Sequence, residues 1–417
     1  MVLEWPVHSI MECISSEKYA TQIGPFGSAL KVEDYRPTGV PLLRGVNVNR
    51  GRFHDDDFVF IDPEVATALH KYKAGPGDVI LVHRGTLGKI GLIPRNPRFP
   101  SYIMGNSMLR IRCDAEKLLP EFLYYWLTST EGQHFIFSRA VQVGVPALPT
   151  PLRTLRELSL PIPSLEEQTQ IVETLGTLDD KIELNRRMNA TVEAMAQAVF
   201  KEWFVDGAKE DWRPTTLGEH LEVVKGLSYK GSGLADAGIP MHNLNSIYEF
   251  GRYKYEGIKW YTGEFRERHN CKAGDVIVAN TEQGFDHLLI GSAALVPKRF
   301  GDEGIFSHHI YRVRPLPTSY LTNHFIYLLL SHPFMREQVQ GYTNGTTVNS
   351  LAKEGLERPT FKLPPKALVE KFDAIVAPLF VRQEANYEET QTLTALRDTL
   401  LPKLMRGEVR VKQTVVS

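Results

Sequence analysis

The sequence predicts an α+β protein built twice: two tandem domains of mixed strand and helix, each followed by a long helix. The two helices are expected to pair as an antiparallel coiled coil, and the two halves to be related by an internal pseudo-twofold repeat. Three observations carry this. Short motifs recur in the same order about two hundred residues apart, two long stretches keep an apolar stripe at helical spacing, and the segments between them hold short β-type runs such as "DVILVHRG" and "DVIVAN".

Composition sets the frame. A chain of 417 residues exceeds one ordinary core. Its 42% hydrophobic and 23% charged content suit a soluble globular protein, and no run of eighteen apolar residues offers a membrane span. The start, "MVLEWPVHSIMECISS", lacks the basic region and apolar run of a signal peptide, so a cytoplasmic location is expected. Cys13, Cys113 and Cys271 have no paired spacing, which argues against a disulfide framework and a zinc site and leaves them as core thiols. The net charge is -1, but the acids Glu166, Glu167, Glu173, Asp179, Asp180, Glu183, Glu193, Glu202 and Asp206 crowd one segment, leaving the rest mildly basic.

The first domain is expected over residues 1–163 and the second over 207–364. Gly39-Val-Pro-Leu42 returns as Gly238-Ile-Pro-Met241, and Pro76-Gly-Asp-Val-Ile-Leu81 as Ala273-Gly-Asp-Val-Ile-Val278. Leu109-Arg-Ile-Arg112 returns as Tyr311-Arg-Val-Arg314, and "FLYYWLTS" (Phe122 to Ser129) as "HFIYLLLS" (His324 to Ser331). The offset drifts by a few residues only, as loop insertions would allow.

Residues 164–206 read as the central helix. Ile171, Leu175, Leu178, Ile182, Val192, Ala196, Val199 and Trp203 fall on one face, and at 1.5 Å per residue such a helix runs about 60 Å. Residues 365–417 hold its duplicate and a tail, with Phe372, Val376, Leu379, Leu393, Leu400 and Leu404 as the matching stripe. Asn185, which matches Asn386, and Asn189 interrupt the first stripe; they either fix register in the coiled coil or face solvent beside a kink. Gly176 and Pro378 occupy matching places, where a kink or a short first segment is expected in both helices. Met188, Met195, Phe200 and Trp203 are candidates for docking partner helices, with packing inside the coiled coil the better expectation for Trp203.

Three runs carry a resemblance: "LPIPSLEEQTQIVETLGTLDDKIELNRRMN" (Leu160 to Asn189), "LRDTLLPKLMRGEV" (Leu396 to Val409) and "GDVILVHRGTLGKIGLIP" (Gly77 to Pro94). With the duplication, they make nearly the whole chain similar to the specificity subunit of type I restriction-modification systems. The resemblance implies two target-recognition domains, each reading one half of a bipartite site in double-stranded DNA, with the helices setting the spacer. It implies two methyltransferase subunits as partners and ATP-driven restriction subunits in the full complex. S-adenosylmethionine and ATP with Mg would then belong to those partners, and no cofactor to this chain. In the second domain the counterpart of "RGTLGKIGLIP" is the longer, dissimilar "NTEQGFDHLLIGSAALVP".

Bidentate readout of guanine favours Arg and Lys, and of adenine Asn and Gln, so loops dense in these are the candidates for DNA binding. "LRGVNVNRGRF" offers Arg44, Asn47, Asn49, Arg50 and Arg52, and "VHRGTLGK" offers His83, Arg84 and Lys89. The second domain offers His242, Asn243 and Asn245, then Arg252 and Lys254, then Asn280, Glu282 and Gln283, and finally Tyr342, Asn344 and Thr346. Such residues are also what ordinary turns contain, so roughly a third are expected to touch DNA.

No catalytic constellation is found. "NPRF" (Asn96 to Phe99) resembles the tetrapeptide of DNA amino-methyltransferases but lacks a companion glycine-rich motif for the methyl donor; there is no Glu-x-Lys triplet of a metal-dependent nuclease; "GTLGK" is too short for a phosphate-binding loop. His308 and His309 are expected to point to opposite faces of a strand, one buried and one exposed, and so not to ligate metal. A fused restriction enzyme or methyltransferase would need a site that is not there. A coiled-coil scaffold that binds only protein would leave the basic loops unexplained, so a non-catalytic DNA-specificity subunit is the expected function.

Overall fold

The two main sheets of the first unit recur in the second in the same strand order. The computed structural model describes residues 5–26, 29–49, 52–141, 144–283, 287–345 and 348–411, and the chain falls into two units, residues 1–182 with 391–417 and residues 183–390. In the first unit, Ile90–Leu92, Val79–Val82, Met108–Ile111 and Thr21–Ile23 lie antiparallel in that order. A second sheet runs Tyr35–Arg36, Val59–Ile61, Val40–Leu43, Tyr102–Met104 and Lys73–Ala74, with Val40–Leu43 parallel to Tyr102–Met104. In the second unit, Leu221–Lys225, Ile310–Pro315, Val276–Ala279 and Ala293–Leu295 reproduce the first sheet. Leu234–Ala235, Lys259–Tyr261, Ile239–His242, Gly304–Phe306 and Asn270–Cys271 reproduce the second, parallel pair included. Val79–Val82 and Val276–Ala279 are buried at every position, which is why both read as unbroken apolar runs.

The recurring motifs are explained by one interaction. Buried Asp78 accepts Arg112 Nε and Nη2, each at 2.7 Å, and the Gly75 backbone N–H at 2.8 Å. Buried Asp275 accepts Arg314 Nε at 2.6 Å and Nη2 at 2.5 Å, and the Lys272 N–H at 2.8 Å. The repeated Gly-Asp-Val and Arg-x-Arg motifs are thus two copies of a bidentate ion pair that ties a turn to the neighbouring strand. All three cysteines are buried and free, as expected of core thiols.

The first long helix spans Leu165–Lys201 and continues as a π-helical turn over Glu202–Asp206; the second spans Lys366–Met405. Ser164 Oγ accepts the Glu167 N–H at 3.3 Å to start the first, with Glu166 and Glu167 in its first turn. Neither helix has a short first segment: both run unbroken through Gly176 and Pro378. In the first unit, Ile171 and Leu175 share a core with Trp5, Phe122, Leu404 and Met405. In the second, Ala196, Phe200 and Phe204 share a core with Phe325, Phe372 and Val376. Phe200 is fully buried and therefore unavailable to a partner, while Trp203 packs edge-on or tilted against Phe204 and Phe372, as expected of a coiled-coil residue. Ile182 is buried; Leu178, Met188, Val192, Val199, Leu379, Leu393 and Leu400 are half-buried; Met195 is exposed.

The two helices pair antiparallel in each unit. In the second unit Asn185 Nδ2 donates to Glu389 at 2.8 Å, Asn189 Nδ2 to the Gln383 carbonyl at 3.0 Å, and Asn386 Nδ2 to Asn189 Oδ1 at 2.8 Å. Asn185 and Asn386 are buried, so these asparagines form a polar layer between helices and not a solvent-facing break. In the first unit buried Asp179 takes Arg397 Nη1 at 2.8 Å and Tyr125 Oη at 3.0 Å.

Candidate nucleic-acid interface

Both units place the end of a fully buried strand, Val79–Val82 or Val276–Ala279, beside a bridged row of side chains. In the second unit Thr281–Gln283 pairs with Val348–Leu351, which pairs with Thr343–Asn344, making a three-stranded ribbon. Thr281 lies opposite Ser350, and Ser350 opposite Asn344; Gln283 lies opposite Val348. Side chains directly opposite or two residues apart share a face, so Thr281, Gln283, Val348, Ser350 and Asn344 form one surface, exposed except for half-buried Thr281. The alternate positions Asn349 and Leu351 are buried, and Glu282 accepts the N–H groups of Leu288, Leu289 and Ile290 at 2.9–3.1 Å. One face is thus fixed by the protein and the other is free to be read.

In the first unit the same row is reduced to single bridges: Arg84 opposite Ala147, and Ala147 opposite Val141. The anchoring bond is conserved between the halves, Leu148 N–H to the His83 carbonyl and Leu351 N–H to the Asn280 carbonyl, each at 2.8 Å. Arg84 is exposed, and Gly85 beside it has φ +82° with nothing near the place of a Cβ. Arg84 and Arg153 both line an open cleft of about 430 Å³ between Phe26 and Val145.

Beside the ribbon of the second unit stands a basic and aromatic cluster. His308 and His309 lie in the turn before Ile310–Pro315, not on a strand; both are half-buried and their rings are 3.9 Å apart. This corrects the expectation of one buried and one exposed histidine. His309 Nδ1 is 3.0 Å from Thr281 Oγ1, His308 packs edge-on against Tyr229, and Lys259 Nζ donates to Tyr229 Oη at 3.3 Å. Burial, then the charges of His308, Lys225 and Lys259, hold the His309 pKa below its usual value. Among the described residues no three His, Cys, Asp or Glu side chains are grouped to hold a metal.

A family model described as the type I restriction modification DNA specificity domain matches residues 49–194 and again residues 209–375. The chain belongs to that family. As a member it is a DNA sequence-specificity chain, the recognising and non-catalytic part of a type I restriction-modification system. The MjaIX specificity subunit of Methanocaldococcus jannaschii is 25% identical over 361 residues, covering 81% of this chain and 78% of the relative. The HindI specificity subunit of Haemophilus influenzae is 24% identical over 381 residues, covering 74% and 82%. The S subunit of a type I restriction-modification system from M. genitalium shares the fold, with a TM-score of 0.58 over 98% of this chain and 97% of that one at 17% identity.

The sequence candidates of this specificity chain separate into surface and support. In the first unit Arg44 is half-buried and donates to the Asp57 carbonyl at 2.8 Å. Asn47 is buried, accepting the Arg44 N–H and donating to the Asp56 carbonyl, so it shapes its loop and does not face solvent. Gly45 lies against Thr86, which brings the Arg44 and Arg84 loops together; Lys89 is half-buried. Arg50 and Thr346 lie outside the described residues, as do the side chains of Asn49 and Arg52. His83 is buried, and burial lowers its pKa.

In the second unit His242 is buried with Nδ1 2.7 Å from Tyr253 Oη, and burial lowers its pKa to about 4. Buried Asn243 bonds the carbonyls of Met241 and Gly257, and buried Asn280 donates to the His308 carbonyl at 3.0 Å. These three hold the loops that carry the exposed candidates Asn245, Arg252, Gln283 and Asn344; Lys254 is half-buried over the Tyr248 ring, and so is Tyr342. Lys225, Tyr229, Lys259, Ser350 and the paired histidines were not among the candidates. Alignment of the repeats carries the missed signal: "SHHI" (Ser307 to Ile310) occupies the place of "GNSM" (Gly105 to Met108), an unlike turn inside a matching frame.

Proposed function

We propose that each unit of this specificity chain reads one half of a bipartite site in double-stranded DNA through its exposed row, Arg84 with its loop in the first and the Thr281–Gln283 ribbon in the second. B-DNA's major groove admits a β-ribbon and offers a distinct donor and acceptor pattern for each base pair. The antiparallel helices set the spacing of the halves and dock two methyltransferase subunits, which bring S-adenosylmethionine; restriction subunits bring ATP and Mg. The complex works in the cytoplasm, in keeping with the lack of any helix, among the described residues, long and apolar enough to cross a membrane.

The observation that carries this reading is the duplication of one arrangement. In each of two units with separate cores a buried strand runs out under a bridged row, polar and exposed at Gln283, Ser350 and Asn344 in the second and reduced to exposed Arg84 beside Ala147 and Val141 in the first, so the side chains in that row differ completely. A shared frame with divergent surface residues is what two readers of different sequences require. The test is genome-wide mapping of methylated adenines in cells carrying this chain and its cognate methyltransferase subunit, repeated with residues 1–163 exchanged for those of a relative. A split motif in which one half changes is expected. An unchanged motif, or one without two halves, refutes it.

A further inference from the structure

We infer that Lys225, Lys259, Tyr229 and the His308–His309 pair form a clamp for a DNA backbone phosphate at the edge of the second unit's ribbon. This rests on the reading that the ribbon contacts DNA, and it assigns the positioning contact that the reading leaves open.

Four separate segments converge on the cluster. Lys225 ends the strand Leu221–Lys225, Tyr229 follows in the next loop, Lys259 comes from Lys259–Tyr261, and the histidines come from the turn before Ile310–Pro315. His308 N–H donates to the Leu227 carbonyl at 3.0 Å, so the histidine turn is bolted to the loop that carries Tyr229. The groups facing His309 are His308, Lys225, Lys259 and the neutral hydroxyl of Thr281. Those facing His308 are His309 and the Tyr229 ring. The two ammonium groups held beside the two imidazoles repel one another and gain from an anion placed among them. Tyr229 accepts from Lys259 and keeps that ammonium directed into the cluster.

The place of the cluster identifies the anion. His309 touches Thr281, the first residue of the exposed row Thr281, Ser350 and Asn344. A duplex read by Gln283 and Asn344 would lay its backbone along the edge of that row. Phosphate contacts fix register and carry no sequence information, so these residues act on affinity alone. Each phosphate contact also releases counterions, giving the logarithm of affinity a slope of about -0.9 per phosphate against the logarithm of salt.

The clamp also couples binding to pH. In the free chain burial, then His308, Lys225 and Lys259, oppose protonation of His309 and hold its pKa below the ordinary value. A bound phosphate favours the imidazolium, so binding takes up a proton and tightens as pH falls from 8 towards 6.

The test uses the chain assembled with its methyltransferase subunits and the duplex it methylates. Salt and pH titrations of binding compare the natural chain with Lys225→Gln/Lys259→Gln and, separately, His308→Gln/His309→Gln, with the methylated motif mapped for each. The lysine variant is expected to lower the salt slope by about one with the motif unchanged. The histidine variant is expected to abolish the severalfold tightening between pH 8 and 6. An unchanged slope and pH profile overturn the clamp, and a change in the second half of the motif overturns it in favour of base contacts. If the natural complex shows no split motif, the two-reader proposal falls, whereas a split motif with inert variants removes only the clamp. Should the lysine variant not fold, the histidine pair still decides.

Discussion

At positions 83 and 280 the two units bury a polar side chain whose backbone carbonyl anchors the exposed row, and the very next residue, Arg84 or Thr281, is on that row. Alternation along a strand therefore separates support from readout at single-residue spacing. The expected consequence is a clean split between mutations. Arg84→Ala should relax only the first half of the methylated motif and Gln283→Ala only the second, each costing about 1–3 kcal/mol of discrimination if it removes a bidentate contact. Motif mapping of the two variants checks this, and a change in both halves from either one would contradict independent readers. His242 shows the opposite use of a polar residue. Its folded pKa is about 4 against an ordinary 6.5, so the unfolded chain binds the proton first. The second unit should lose up to about 3 kcal/mol as pH falls from 6.5 to 4, with no contribution from this group above 6.5. Denaturant titrations at pH 7 and 4.5 should show a smaller pH difference for His242→Gln; an equal difference would absolve His242.

The long helices were legible because their period was legible: Ile171, Leu175, Ile182, Phe372 and Val376 sit at spacings of 4 and 7 and are all buried. Asp179 and Glu193 were counted among the acids that crowd the central helix, yet both are buried in the stripe. Their partners come from distant segments. Tyr125 and Arg397 meet Asp179, while Tyr327 Oη at 2.8 Å and Gln383 Nε2 at 3.2 Å meet Glu193. No local pattern could announce a carboxylate paired across more than fifty residues. The site shows the same limit: loops rich in Asn and Arg were found by composition, but composition gives no burial, so Asn47, His242, Asn243 and Asn280 read like Asn344. The asparagine layer yields a sharper prediction at this scale. Asn386→Leu leaves Asn189 Oδ1 without its donor between the helices and should cost about 1–3 kcal/mol, whereas Asn189→Leu/Asn386→Leu should recover part of that loss. Chemical denaturation of both variants and of Asn189→Leu gives the double-mutant cycle, and additive costs would mean that the layer is not coupled.

At the scale of the whole chain, the first unit is closed by residues that arrive last. Leu404 and Met405 are buried in its core beside Ile171 and Leu175, Gly407 lies against the Trp5 ring, and Arg397 supplies the cation for buried Asp179. Residues 183–390 contain none of these groups, so the second unit has no comparable debt to the tail. Removal of residues 391–417 should therefore act at the opposite end of the sequence. Losing two large buried side chains costs about 2–5 kcal/mol each, and leaving Asp179 buried without its cation costs about 3–5 kcal/mol. The sum reaches the 5–15 kcal/mol by which a domain is ordinarily stable. Limited proteolysis of the truncated chain, read by mass spectrometry, should show cleavage spread through residues 1–182 while the second unit stays protected. Protection of both units would show that the first core closes without the second helix. Exposure of both would show that the units share one cooperative transition, and either result would separate folding from the division that the recognition surfaces follow.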